Sequence, residues 1–256
     1  MLKNIIDTHA HYNDDKFSED RNTVLASLPE AGIVKIINCG TDVSSSAESR
    51  RLAESYDFMF FAAGVHPEDC AKPENETDLG EIKKLLSHPK CVAVGEIGLD
   101  YYWQEVPREL QQKFFEAQLK MAKEADMPVI IHDREAHGDT MELLREYRPK
   151  GVLHCFSGST ETMREAVSLG LYIGLGGAVT FKNAKKAVAV AQEIPPDRLL
   201  LETDCPYMAP VPFRGKRNTS AYIPCVAEFL AALRGVDPQA LIDQTTENAN
   251  RLFFGG

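Results

Sequence analysis

Short apolar segments alternate with longer amphipathic segments along the whole chain. Eight of the apolar segments are nearly continuous in Val, Ile, Leu, Ala or Phe, as expected for strands that are buried on both faces of a parallel sheet. They cover residues 4–12, 34–40, 59–67, 92–101, 128–134, 151–158, 172–179 and 199–207. The pattern therefore predicts eight buried parallel strands.

The segments between these strands have the spacing of amphipathic helices. Pro107 suits the start of one helix, and Gly170 and Gly235 suit the ends of two others. Helices are predicted at residues 108–125, 160–169, 220–234 and 238–252. Eight strand–helix alternations in 256 residues match an α/β fold of the (β/α)8 TIM-barrel type, with a doubly wound open sheet as the main alternative. We expect a single domain over residues 1–256.

The composition describes a globular chain with a sizeable core, since 44% of the residues are hydrophobic and 26% are charged. The formal net charge is −10, which argues against a broad basic surface for nucleic acid. It leaves open a small site in which bound cations supply the positive charge.

The six cysteines form no C-x-x-C pair, and four of them lie in or beside predicted strands. This placement is typical of reduced, buried thiols. The sequence has no signal-peptide pattern and no apolar run long enough to span a membrane. We therefore expect a cytoplasmic protein that does not bind membranes. Because the sequence shows no large apolar surface pattern, we also expect a monomer.

Most of the predicted strands carry a polar side chain where the apolar pattern stops. Because the carboxyl ends of barrel strands all face one mouth, where active sites are built, these side chains are expected to converge. Five of the seven histidines and three carboxylates occupy such positions: His9, His11, His66, His132, His154, Glu96, Glu202 and Asp204.

Imidazoles and carboxylates at one mouth form a ligand set for one or two divalent ions, with Mg, Mn, Zn, Co and Fe as candidates. His9 and His11 are two residues apart on a strand, so they face the same side and can bind one ion. Two ions need a bridging group. Glu96 is the best candidate for the bridge, because it is predicted to end the fourth strand.

Each of these residues also has a purely structural interpretation. A lone histidine at a strand end is often held in hydrogen bonds, and a lone carboxylate often caps the next helix. Asp7 and Glu202 fit that role, or they lie behind the metal ligands and orient them. The structural interpretation needs a separate explanation at each strand end, whereas one shared metal site explains all of these residues together. This favours the metal site.

Six motifs stand in order at successive predicted strands. They are DTHAH (7–11), GVHP (64–67), GEIGLDY (95–101), HDREA (132–136), HCFSG (154–158) and LETDCPY (201–207). With PFRGKRNTSAYI (212–223) and NANRLF (248–253), they resemble the motifs of TatD-type metal-dependent deoxyribonucleases over essentially the whole chain. The resemblance implies a TIM barrel of the amidohydrolase-like superfamily. Ser220, where this family would have a proline, is a minor departure.

The resemblance also implies roles for the residues at the strand ends. One divalent ion would be held by His9, His11 and Asp204. A second ion would be held by His132 and His154, with Glu96 bridging the two. The implied activity is that of a hydrolase acting on ester bonds, a deoxyribonuclease that in some members works as an exonuclease on single-stranded DNA.

Phosphodiester cleavage needs an activated water, neutralised phosphoryl charge and a stabilised leaving oxygen, and two divalent ions can supply all three. We expect a metal-activated water to attack phosphorus while Asp204 orients it or takes its proton. The expected catalytic set is completed by Glu96 as the bridging ligand and by His66, which the resemblance assigns to substrate phosphate.

Basic and aromatic residues near the mouth are candidates for binding the substrate strand. Arg134, Arg214 and Lys216 would hold flanking phosphates, although a solvated run of loop charges is the alternative for the last two. Four aromatic residues are candidates to stack on a base: Tyr101, Tyr102, Trp103 and Phe213. We expect at least two of these four to pack within the core or the loops instead.

Two other interpretations stay open. Another metal-dependent hydrolase on the same barrel would act on a lactone, an amide, a phosphotriester or an aminoacyl-tRNA ester. Many such sites use a modified lysine as the bridge at the fourth strand, where this chain has Glu96. A barrel that binds metal without catalysis is the non-enzymatic alternative.

Overall fold

Eight parallel strands follow one another around a barrel in the computed structural model, which describes residues 1–72, 75 and 79–255. The strands are β1 (Ile5–Ala10), β2 (Ile33–Cys39), β3 (Met59–Ala63), β4 (Cys91–Asp100), β5 (Val129–Arg134), β6 (Gly151–Leu153), β7 (Tyr172–Leu175) and β8 (Leu199–Leu201). Each strand pairs with the next in sequence order. The barrel closes where Ala10 forms a parallel bridge with Cys205. The prediction of a TIM barrel is therefore confirmed, and the alternative of a doubly wound open sheet is excluded.

Helices connect the strands around the outside of the barrel. Within the described residues they are α1 (Arg21–Ser27), α2 (Val43–Ser55), α3 (Leu79–Leu85), α4 (Arg108–Glu124), α5 (His137–Tyr147), α6 (Thr160–Ser168), α7 (Lys185–Glu193), α8 (Ile223–Arg234) and α9 (Pro238–Phe253). The predicted helices correspond to α4, α6, α8 and α9. The predicted helix at 220–234 begins as a 3-10 turn over Ser220–Tyr222, and the α-helix starts only at Ile223.

Several strands are shorter than their apolar segments, because the chain leaves the sheet to carry side chains over the mouth. After β6 and β8 the backbone turns sharply, with positive φ at Cys155 and Asp204. In contrast, β4 continues past Glu96 to Asp100, so the prediction that Glu96 ends this strand is wrong. Pairing of Gly98 with His132 extends the ladder to β5 and leaves Glu96 inside the barrel.

The core has two layers, which lie on the two faces of the sheet. One layer packs the outward side chains of the strands against the helices, as with Ile131 of β5 and Phe115 of α4. The other joins inward side chains such as Ile130 to Phe253 of α9. The neighbouring Phe254 packs against Phe60 of β3, with ring centroids 4.7 Å apart. α9 therefore covers the amino ends of the strands, and the carboxyl ends form the open mouth.

The cysteines agree with the prediction in part. All six are free, and Cys39, Cys91 and Cys205 are buried as expected, whereas Cys155 is only partly buried. None of the helices in the described part of the chain has both the length and the apolar character that crossing a bilayer requires.

Candidate metal centre

The side chains that the sequence singled out as ligands converge inside the barrel. His9 lies on β1 and His132 on β5, His11 and His154 follow their strands directly, and Asp204 lies three residues after the end of β8. The donor atoms lie within 4.8 Å of one another in each of three groups: His9 with His11 and Asp204, His9 with Glu96 and His154, and His66 with Glu96 and His132.

One side of the centre is built around the imidazoles of β1. The Nε2 atoms of His9 and His11 are 2.9 Å apart. Glu96 Oε2 lies 3.3 Å from the first nitrogen and 3.4 Å from the second. Asp204 Oδ1 lies 3.7 and 3.5 Å from the same two atoms. Two nitrogens and two carboxylate oxygens thus point at one position, the mixed donor set that suits a divalent ion.

The other oxygen of Glu96 faces a different set of histidines. Glu96 Oε1 lies 2.8 Å from His154 Nε2 and 3.0 Å from His132 Nδ1. It also lies 3.5 Å from His66 Nε2. Because the two oxygens of one carboxylate face two sets of imidazoles, the geometry of Glu96 suits a bridging ligand.

Hydrogen bonds on the far side of the rings assign which nitrogen carries the proton in two of these histidines. His11 Nδ1 lies 3.0 Å from the carbonyl oxygen of Cys39, which can only accept a hydrogen bond. His132 Nε2 lies 2.9 Å from Asp100 Oδ2. In the neutral rings these contacts place the proton away from the centre, so neutral His11 and His132 turn lone pairs towards it, as metal ligands must.

His66 has the opposite arrangement. Its Nδ1 accepts a hydrogen bond from the backbone N–H of Glu68 at 3.2 Å, so in the neutral ring the proton is on Nε2. Burial lowers the pKa of His66 to about 3, which keeps the ring neutral. His66 therefore offers an N–H donor towards the centre, whereas His11 and His132 offer lone pairs.

The electrostatics of the centre favour positive charge. Burial lowers the pKa of His11, but hydrogen bonds with Asp204 and Glu96 outweigh it and raise the pKa to about 10. Asp100 and Glu96 likewise outweigh burial at His132 and raise its pKa to about 10. The buried carboxylates thus concentrate negative charge, and the residues fit bound divalent cations.

Asp7 connects the two strands that close the barrel. Its carboxylate accepts hydrogen bonds from the backbone N–H groups of His9 and Thr203. It also accepts from the hydroxyls of Thr203 at 2.7 Å and Ser220 at 2.6 Å. Burial raises the pKa of Asp7 to about 6. Asp7 therefore fixes the backbone that carries His9, and Ser220 takes part in this network.

Glu202 lies behind the centre, beside β7. One of its oxygens accepts a hydrogen bond from the backbone N–H of Cys155. Among the described residues, Glu202 Oε2 and His154 Nδ1 are buried without a hydrogen-bond partner. A Cβ at Gly174 would lie 2.2 Å from Glu202 Oε2, so glycine makes room for the carboxylate. Burial raises the pKa of Glu202 to about 8.

Asp100 is a residue of the centre that was not among the ligands predicted from the sequence. It holds the outer nitrogen of His132. The signal was available, because Glu96, Gly98 and Asp100 alternate along β4 and so share one face. The residue between the two carboxylates must be glycine: φ at Gly98 is +143°, and a Cβ there would lie 2.0 Å from the carbonyl oxygen of His132.

The centre opens into a cavity of about 810 Å3, within the size range of small-ligand sites. Arg134 lines this cavity, as do His66 and Asp204. Among the described residues, its wall does not include Arg214 or Lys216. Those two cations lie over aromatic rings of the neighbouring loops, 4.3 Å from Phe181 and 5.7 Å from Phe213 respectively.

Comparison with known proteins places the chain in a family. The family model for TatD related DNase matches residues 6–254. The chain belongs to this family. The TatD homologue YjjV from Escherichia coli K12 has a solved structure that covers 99% of this chain and of its own, with 35% identity and a TM-score of 0.93.

Two curated relatives of this TatD chain carry different descriptions. The "uncharacterized metal-dependent hydrolase YabD" of Bacillus subtilis is 43% identical over 252 residues, which are 97% of this chain and 98% of that protein. The "3'-5' ssDNA/RNA exonuclease TatD" of Citrobacter rodentium is 37% identical over 260 residues, covering 97% of each. The family thus includes a protein named for nuclease activity and one named only for metal-dependent hydrolysis.

Proposed function

We propose that this chain is a metal-dependent hydrolase that cleaves DNA phosphodiester bonds, as an exonuclease on single-stranded ends, with residues 1–256 as one domain. The observation that carries the proposal is the placement of Glu96, whose two oxygens face two sets of imidazoles. Membership of the TatD family and the relative named as an exonuclease on single-stranded DNA and RNA support the choice of substrate.

The residues of the centre divide into ligands of two divalent ions. One ion would be held by His9, His11 and Asp204. The other would be held by His132 and His154, with Glu96 shared between the two. When bound, the ions would supply an activated water, neutralise phosphoryl charge and stabilise the leaving oxygen.

Three side chains at the centre and its rim act on the substrate and on the attacking water. The Nε2–H of His66 donates a hydrogen bond to a phosphoryl oxygen, because its other nitrogen is already an acceptor. The carboxylate of Asp204, with 20% of its side chain exposed, accepts the proton of the attacking water. The exposed guanidinium of Arg134 pairs with a flanking phosphate at the rim.

A second candidate function rests on the acidic lining of the cavity. Beyond the ligands, the wall carries five carboxylates: Asp14, Glu68, Asp69, Asp133 and Glu135. Such a wall limits the number of phosphates that can enter. The acidic wall therefore favours the end of a DNA strand over an internal segment as the substrate. It also keeps a second candidate function, the hydrolysis of a lactone, an amide, a phosphotriester or an aminoacyl-tRNA ester.

The proposal is tested with end-labelled single-stranded DNA and metal-stripped protein, titrated separately with Mg, Mn, Co and Zn. We expect a ladder of products from one end once metal is restored, and none from His132→Ala prepared in parallel as the control for contaminating nuclease. RNA of the same sequence tests whether the protein distinguishes deoxyribose from ribose in its substrate. Absence of cleavage with every metal, together with turnover of an ester or amide, would replace the nuclease by the second candidate.

A further inference from the structure

Exposed aromatic side chains are concentrated at the mouth of the barrel. Eight large hydrophobic side chains are exposed among the described residues, and four of them gather here: Tyr102, Trp103, Tyr207 and Met208. Trp103, Tyr207 and Met208 line the cavity, and Tyr102 packs edge to face on Trp103 with ring centroids 4.8 Å apart. Single exposed apolar residues are ordinary, whereas a cluster beside a cavity indicates a binding surface.

The four side chains lie on two opposite sides of the mouth. Tyr102 and Trp103 follow β4, and Tyr207 and Met208 follow β8. Because the strands run in sequence order around the eight-stranded barrel, the ends of β4 and β8 face each other across it. The metal centre lies between these two sides. The end of a nucleic-acid strand that enters the cavity therefore passes both of them.

Both sides are held in place by carboxylates. Asp100 Oδ1 accepts hydrogen bonds from the backbone N–H groups of Tyr102 at 2.9 Å and Trp103 at 3.2 Å. On the other side, the hydroxyl of Tyr207 donates to Asp14 Oδ2 at 2.8 Å. These contacts fix the backbone that carries Trp103 and the ring of Tyr207, which lowers the entropy lost when a ligand stacks there.

Each aromatic side carries one cation. The guanidinium of Arg134 lies 3.9 Å from the ring centroid of Tyr102 and 5.6 Å from that of Trp103. The ammonium of Lys16 lies 3.9 Å from the ring centroid of Tyr207. Trp103 and Tyr207 nevertheless stay 44% exposed. An exposed ring beside a cation matches the two parts of a nucleotide, a base with a flat face and a charged phosphate.

We propose that Trp103 and Tyr207 form a two-sided stacking clamp for unpaired bases at the end of a nucleic-acid strand. Arg134 and Lys16 hold the adjacent phosphates. The inference rests on the proposed function for its class of substrate and adds the residues that select single strands. Bases inside a duplex are stacked on their neighbours and do not present a free face, so the clamp discriminates against paired ends.

The structure also separates stacking residues from packing residues among the aromatic candidates. Tyr101 is buried, and its hydroxyl donates to Asp139. Phe213 is stacked on Tyr222 with ring centroids 4.0 Å apart. The expectation that at least two of the four candidates pack within the fold is confirmed. Tyr207 was not among those candidates.

The clamp can be observed directly, because Trp103 is the only tryptophan of the chain. Metal-loaded protein is titrated with a hydrolysis-resistant phosphorothioate oligothymidylate, and with an abasic phosphorothioate strand of equal length and charge. We expect the oligothymidylate to quench the Trp103 fluorescence and to bind about tenfold more tightly than the abasic strand. Equal affinity and equal quenching for the two strands would overturn the clamp.

Variants test the two sides separately. Tyr207→Ala should weaken binding of oligothymidylate about tenfold and leave binding of the abasic strand unchanged, whereas Tyr207→Phe should restore most of the affinity because it keeps the ring. Trp103→Phe and Trp103→Ala repeat the comparison on the other side, with binding followed by fluorescence anisotropy of labelled strands. Val236→Ala, an exposed residue just after α8, is the matched control.

Hydrolysis assays distinguish failure of the clamp from failure of the proposed function. Val236→Ala, which lies outside the metal centre and the clamp, should keep the kcat and KM for DNA unchanged. Preferential binding of oligothymidylate with no cleavage of natural DNA would support the clamp and overturn the nuclease. Cleavage of DNA with an unchanged KM in Tyr207→Ala and Trp103→Ala would support the nuclease and overturn the clamp.

Discussion

The carboxylate of Asp100 accepts hydrogen bonds from the ring of His132 and from the backbone of Trp103. One oxygen lies 2.9 Å from His132 Nε2, and the other lies 3.2 Å from the Trp103 backbone nitrogen. A single buried side chain thus fixes the tautomer of a proposed metal ligand and the position of a proposed stacking residue. The centre and the rim of the mouth are coupled through this contact.

Replacement of Asp100 should weaken metal binding without removing a ligand. Asp100→Ala leaves the outer nitrogen of His132 without its acceptor, so we expect metal affinity to fall about 10- to 100-fold. The affinity is measured by competition with a chromophoric chelator. Glu68→Gln, which changes a carboxyl group of the cavity wall, is the control. An unchanged affinity in Asp100→Ala would show that the orientation of His132 does not depend on this contact.

Glu96→Gln should lose metal and activity together. The amide keeps one oxygen but presents an N–H2 group to one of the two sets of imidazoles, and this group cannot coordinate an ion. We expect fewer than two ions per chain by elemental analysis and a loss of at least about 100-fold in kcat. Full occupancy with full activity would contradict the assignment of Glu96 as the bridge.

The extent to which the sequence predicts this molecule differs between its parts. The eight strands and the convergence of His9, His132 and Asp204 follow from apolar patterning and from the rule that barrel strands end at one mouth. The proton position on His66 does not, because it depends on the backbone N–H of Glu68 in a turn whose geometry only the fold defines. The length of β4 is likewise set by its pairing with β5.

Gly98→Ala should shift the backbone of β4 or β5 and so displace the side chains of the metal centre. The positive φ and the approach of the His132 carbonyl leave no room for a methyl group, so we expect a loss of about 1–3 kcal/mol in the free energy of unfolding. The measurement is urea denaturation with and without metal. Gly138→Ala is the matched control, because a Cβ there meets no atom within 4 Å and the residue lies in α5. Equal stabilities of the two variants would contradict the steric argument.

The cations near the mouth should contribute unequally to phosphate binding. Arg134 lines the cavity, whereas Arg214 lies over Phe181 outside its wall. Removal of one phosphate contact reduces the slope of log K against log salt by about 0.7 for a single strand. We expect this reduction in Arg134→Ala and a smaller one in Arg214→Ala, both measured by anisotropy with the hydrolysis-resistant strand. An unchanged slope in both variants would remove these arginines from the binding site.

Asp42 should make the stability of the barrel depend on acid pH. It caps α2 by accepting a hydrogen bond from the Ser45 backbone, and it pairs with Lys72, 2.8 Å away. Burial raises the pKa of Asp42, but the hydrogen bonds from Lys72 and Ser45 outweigh it and hold the pKa below its usual value.

The folded chain therefore releases this proton more readily than the unfolded chain does. The stabilising contribution of Asp42 is present above the unfolded pKa of about 3.9 and disappears as the pH falls through the lower folded value. Asp42→Asn keeps a helix cap but loses the charge, so it should lower the free energy of unfolding by about 0.5 kcal/mol at pH 7. The effect is small because Lys72 is 43% exposed and solvent screens its charge. Urea denaturation at pH 7 and pH 3 measures the difference, and Lys72→Met completes a double-mutant cycle. A cost that is equal at both pH values would show that shape, and not charge, makes Asp42 stabilising.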